Sequence, residues 1–93
     1  MKFFVYIIES DFDGTFYTGQ TNNLIERLKR HNSGKNKSTK SRIPYQLKYF
    51  ETYDTRAEAM LREWELKKKY NTERKRKLIQ LFDKDILNKI LGL

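Results

Sequence analysis

Ninety-three residues without a cysteine leave room for one domain, near the lower size limit for a core that no staple assists, and exclude disulfides and thiolate metal sites. The formal net charge of +8 points to a polyanionic partner, most simply nucleic acid. That charge is concentrated: residues 26–42 hold seven cations against one carboxylate, and residues 62–77 hold eight against three.

The N-terminal MKFFVYIIESD turns acidic after eight residues and offers no small-residue cleavage site, so it reads as a strand and not as a signal peptide. No apolar run approaches the ~20 residues of a membrane span; a cytoplasmic protein with no membrane partner is expected. Phe3 to Glu9 is apolar on both alternating faces, the pattern of a central strand. Asp13-Gly14 signals a hairpin, and Phe16 to Thr21 returns as a second strand. An even number of loop residues puts Tyr6 and Tyr17 on one face of the sheet. Gly19 interrupts the second strand and is expected to bend it open beside a site.

Thr21 or Asn22 can cap a helix running to about Asn32, with Gly34 past its end. Leu24, Ile25 and Leu28 form its buried stripe, and Arg27 and His31, four apart, lie on one edge of it at the rim of the core. Lys35 to Arg42 reads as a mobile basic loop ended by Pro44. Gln46 to Tyr53 alternates like a half-exposed third strand. Thr55 and Glu58 form a capping box that opens a helix with Ala57, Met60, Leu61 and Trp64 as its apolar stripe and Glu63 on the flank. A last helical segment starts near Thr72, and Ile86 to Leu91 extends or follows it. The order is β-β-α-β-α-α, a small α+β domain around a three-stranded, mainly antiparallel sheet flanked by helices.

One histidine cannot build a zinc finger, no Walker or dinucleotide glycine loop is present, and no Ser-His-Asp set is signalled. The remaining constellation is Tyr6, Tyr17, Arg27, His31 and Glu63. Singly, each has an ordinary role: the tyrosines as strand aromatics, Arg27 on a helix surface, His31 near a helix C-terminus, Glu63 as the i,i+4 partner of Lys67.

Their joint spacing resembles the GIY-YIG nuclease superfamily. Phe4-Val5-Tyr6 stands at its Gly-Ile-Tyr and Tyr17-Thr18-Gly19 at its Tyr-Ile-Gly, eleven residues on from Tyr6. Arg27 follows Tyr17 by ten residues and His31 follows Arg27 by four. Glu58 to Glu63, EAMLRE, matches the segment ending in the family's metal-binding glutamate. YTGQT, HNSG, RIP and LKYFE look like the small stand-alone bacterial branch, similar to the N-terminal domain of the UvrC excision nuclease. The resemblance spans about residues 2–80; residues 81–93 read as a helical extension of the same domain. Phe4 replaces the first glycine, and Gln20 stands where the excision-nuclease branch carries a lysine, which shifts weight onto His31.

The resemblance implies a divalent-metal-dependent endonuclease hydrolysing phosphodiester bonds in DNA, in repair or recombination, with RNA as an alternative substrate. Glu63 would hold one Mg²⁺ or Mn²⁺, and Arg27 would pair with phosphoryl oxygens. Tyr17, supported by Tyr6, would orient or deprotonate the attacking water. His31 is the alternative proton acceptor. Gly19 is structural at the site. Lys29, Arg30, Lys35, Lys37, Lys40, Arg42, Lys67, Lys68, Arg74 and Arg76 are the expected phosphate contacts. With no room for a separate targeting domain, selectivity is expected from DNA shape or a partner protein. The competing expectation is a nucleic-acid-binding module of the same fold that cleaves weakly or not at all.

Overall fold

The structure, a computed structural model, describes residues 2–92. Strands β1 (Phe3–Ser10) and β2 (Phe16–Thr21) form a hairpin, and helix α1 (Leu24–Asn32) follows. After a 3₁₀ turn at Lys40–Arg42 come strand β3 (Tyr45–Tyr53) and helices α2 (Arg56–Lys68), α3 (Thr72–Leu81) and α4 (Lys84–Leu91). The sheet order is β2-β1-β3, with both pairings antiparallel. As expected of a strand apolar on both faces, β1 is central; Val5, Tyr6, Ile7 and Ile8 are all essentially inaccessible.

Glu9 pairs with Phe16, which leaves an even loop of residues 10–15 between them. Gly14 takes the left-handed φ of +76°, open to glycine without steric cost. The Asp13 carboxylate accepts hydrogen bonds from the Thr15 backbone N–H and hydroxyl. That parity places Phe4, Tyr6 and Ile8 on the same face as Tyr17 and Gly19. On this face Tyr6, Ile8, Leu24, Tyr45, Leu47 and Leu87 form one core cluster, covered by α1 and α4. The opposite face packs Val5 against Ala59 and Leu66 of α2, with Tyr70 and Leu78 beside them.

Helix α2 departs from the sequence reading. Its expected stripe of Ala57, Met60, Leu61 and Trp64 faces outward, with the last three 52%, 62% and 49% exposed. The inward row is Ala59, Arg62 and Leu66. The reason lies on the sheet beneath. There Glu51 accepts hydrogen bonds from the Tyr49 and Tyr53 hydroxyls and takes the Arg62 fork at 2.9 and 3.1 Å. Burial pushes the Glu51 carboxyl up, but these bonds outweigh it and hold it below its usual range. A half-buried carboxylate ringed by phenols needs a guanidinium above it, not aliphatic side chains, and Ala59 lets the helix approach closely.

The segment after α1 also differs from a mobile loop. Thr39 is fully buried, and the Asn32 side chain brackets Tyr45, donating to its carbonyl at 3.0 Å and accepting from its N–H. The last helical segment is two helices, broken at Phe82 and Asp83; the Asp83 carboxylate caps α4.

Candidate active site

Gly19 lies opposite Tyr6 in the β1–β2 ladder, inside the strand and with an ordinary φ. A Cβ there would fall 2.5 Å from the Tyr6 hydroxyl oxygen and 2.7 Å from Cζ. The glycine is therefore not a bend that opens the site. It is the floor on which the Tyr6 phenol rests.

Tyr6 is buried, and its hydroxyl meets His31 Nε2 at 2.8 Å. His31 is fully buried, inside the core and not at its rim. Its Nδ1 lies 2.9 Å from the Thr39 hydroxyl. Burial, then the charges of Arg27 and Arg30, pushes its pKa down to about 4, so the ring is neutral at pH 7, with one donor and one acceptor nitrogen. The Thr39 hydroxyl can donate to the Asn36 carbonyl. Assigning the proton to Nδ1 then satisfies every group: Nδ1–H donates to Thr39, and Nε2 accepts from Tyr6. Burial and, secondarily, Tyr17 hold the Tyr6 hydroxyl far above its ordinary pKa, while Arg27 pulls against them. Tyr6 thus stays protonated, and its oxygen keeps acceptor capacity toward Arg27.

Tyr17 packs its ring on His31 with centroids 4.9 Å apart in a T-shaped contact. Its hydroxyl makes no hydrogen bond to another described residue, and it is partly open to solvent. Arg27, half-buried on α1, has no carboxylate partner among the described residues. Gln20, by strand alternation, sits on the face opposite Tyr17.

Glu63 comes from α2, the layer on the opposite face of the sheet from α1. Its carboxylate is close enough for its charge to act on Tyr6, and it pairs with Lys67 Nζ at 3.0 Å. That same ammonium stands 5.8 Å from the centre of the Tyr17 ring. Lys75 of α3 joins this group. Burial, then the Lys67 charge, lowers its pKa. No cluster of three His, Asp or Glu side chains occurs among the described residues. A lone carboxylate suits a hard cation that keeps its waters and borrows oxygens from a substrate phosphate, so Glu63 fits Mg²⁺ or Mn²⁺ once Lys67 yields it.

The ten expected phosphate contacts divide. Lys29, Arg30 and Lys35 line an open groove of about 500 Å³ along α1 with Glu26 and Ser33. Lys37, Lys40 and Lys68 are exposed and form no ion pair among the described residues. Arg42 is tied to Asp13 at 2.9 Å, and Arg74 lies 4.0 Å over the Tyr70 ring. Arg76 lies over Phe16 and near Glu73. Thr39 and Lys75 have no signal in the sequence: a threonine in a basic run and a lysine among lysines look like solvent residues until the fold buries the first and half-buries the second.

With that geometry in view, the GIY-YIG catalytic domain is matched over residues 2–77. The chain belongs to the GIY-YIG nuclease family. It is 46% identical over 80 residues to a UPF0213 protein of Staphylococcus epidermidis, covering 85% of this chain and 95% of that one. It is 42% identical over 78 residues to a UPF0213 protein of Haloquadratum walsbyi, covering 83% and 85%. The solution structure of a UPF0213 protein from Bacillus halodurans superposes with a TM-score of 0.55 at 38% identity, over 87% of this chain and 85% of that one. No helix of the described residues is long and apolar enough to cross a membrane.

Proposed function

We propose that this chain is a metal-assisted endonuclease that hydrolyses phosphodiester bonds in DNA. The observation that carries the reading is a set of polar groups with unspent capacity gathered around the buried His31. Among the described residues the Tyr17 hydroxyl has no hydrogen-bond partner and Arg27 has no carboxylate partner, while Tyr6 is fixed between His31 and Gly19.

Each side chain then has a definite task. Thr39 holds His31 in one tautomer, and neutral His31 holds the Tyr6 proton, which fixes the phenol oxygen toward Arg27. Arg27 presents its planar fork to the phosphoryl oxygens, where negative charge grows in the transition state. The Tyr17 hydroxyl accepts a hydrogen bond from the attacking water and aligns it. Both nitrogens of His31 are engaged with Tyr6 and Thr39, so Tyr17 is the better candidate for contact with that water and His31 is a positioning residue. Glu63 would hold the divalent cation, which when bound supplies positive charge at the phosphate and leaving oxygen. Lys67, released from Glu63, is free to meet a phosphate, and the cationic groove along α1 holds the flanking backbone without reading sequence.

The test is nicking of plasmid and branched DNA with Mg²⁺ or Mn²⁺ by the wild type beside Glu63→Ala and Arg27→Ala. Cleavage that both variants lose by 100-fold or more supports the enzyme, as does its loss on chelation. Salt-sensitive binding without cleavage by the wild type across those substrates and metals makes the chain a binding module instead.

A further inference from the structure

Helix α2 carries an outward apolar row that the fold leaves uncovered: Met60, Leu61 and Trp64, each about half exposed or more. This row runs directly into Lys67, Lys68 and Lys69, and the Lys69 ammonium stands 5.4 Å from the centre of the Trp64 ring. Lys67 is four residues from Glu63 and three from Trp64, so on the helix surface it neighbours both, at about 5–6 Å between Cβ atoms. An indole set beside three lysines, one helical neighbour from the candidate metal carboxylate, matches a known chemistry. Flat aromatic rings stack nucleobases while cations around them hold the backbone.

We propose that Trp64 is a stacking platform for an unpaired nucleobase of the strand held at Glu63, with Lys67 and Lys68 on the flanking phosphates. The proposal rests on the nuclease reading above and adds to it a preference for substrates with a single-stranded or extrahelical base. A protein partner fits less well. Large side chains bury about 150–250 Å² each when fully covered, so three that are half exposed fall well short of the ~800 Å² per partner of a stable interface. A second copy would bring its own +8 charge against the same lysines.

Trp64 is the single tryptophan of the chain, so its fluorescence reports this position alone. A single-stranded oligonucleotide should quench it saturably, while an abasic deoxyribose-phosphate strand of equal length should not. Trp64→Leu should weaken single-strand binding, read by anisotropy of a labelled oligonucleotide, by about tenfold. Trp64→Phe should recover most of that loss, and affinity for a blunt duplex should stay within about twofold. Equal quenching by the abasic strand, or an unchanged single-strand affinity for Trp64→Leu, overturns the platform. Emission that shifts with protein concentration alone assigns the row to a second copy and overturns it too. If duplex is bound and cut while Trp64 stays silent, only the platform falls. If neither strand form binds at low salt, the nuclease reading falls with it.

Discussion

Gly19→Ala puts the packing of the site under direct load. The added Cβ would lie 2.5 Å from the Tyr6 hydroxyl oxygen, 2.7 Å from Cζ and 3.1 Å from Cε2, and Tyr6 is 1% exposed, so the ring has little room to retreat. Forcing a methyl into a packed core costs about 1–3 kcal/mol. Displacing the phenol also breaks its 2.8 Å bond to His31 and leaves a buried acceptor unsatisfied, about 1–3 kcal/mol more. Replacing glycine stiffens the unfolded chain and returns about 0.4–1 kcal/mol. The balance is a loss of about 1–6 kcal/mol, centred near 3, and a loss of about 3 kcal/mol lowers the thermal midpoint of a chain of this size by roughly 10 °C or more. Urea unfolding of Gly19→Ala, Tyr6→Phe and the double variant measures it. In the Tyr6→Phe background the nearest clashing atom is gone, so the alanine should cost at least ~1 kcal/mol less, a coupling the double-mutant cycle reads directly. A Gly19→Ala stability within about 0.5 kcal/mol of wild type, or strictly additive variants, would refute the close approach.

The pH dependence of stability follows from His31. Its folded pKa near 4 lies below the ordinary 6.5, so the unfolded chain binds the proton more tightly. Stability is complete above about pH 6.5 and falls between pH 6.5 and 4, by up to about 3 kcal/mol. Histidine NMR titration should place the folded midpoint near 4, and His31→Gln should flatten the stability profile across that window. Arg62→Ala removes the fork from Glu51, whose side chain is 19% exposed; the stranded carboxylate should cost about 3 kcal/mol by denaturant midpoint, with Glu51→Gln/Arg62→Met recovering much of it. Replacing Lys35, Lys37 and Lys40 with glutamine should lower the slope of log affinity against log salt for duplex DNA by up to about three, roughly one for each phosphate no longer neutralised, without changing the unfolding midpoint.

Much of this molecule is legible in its sequence, because local physics writes it there. Two-sided apolarity marks β1 as the central strand, Asp13-Gly14 marks the hairpin, and Thr55 caps α2, its hydroxyl accepting from the Glu58 backbone N–H and donating to the Glu58 carboxylate. The spacing of Tyr6, Tyr17, Arg27, His31 and Glu63 marks the family. Tertiary structure decided the rest, wherever a residue's role depends on what lies across from it. Periodicity on α2 identified an apolar stripe and could not say which way it faced. The Glu51 carboxylate, eleven residues before Arg62 and on another element, turned the helix so that Arg62 points in and Trp64 points out. His31 and Thr39 look like surface polar residues until the fold buries them, one against the other. Gly19 reads as a flaw in a strand until Tyr6 is seen lying across it, for a missing side chain acquires meaning only from the atom that occupies its place.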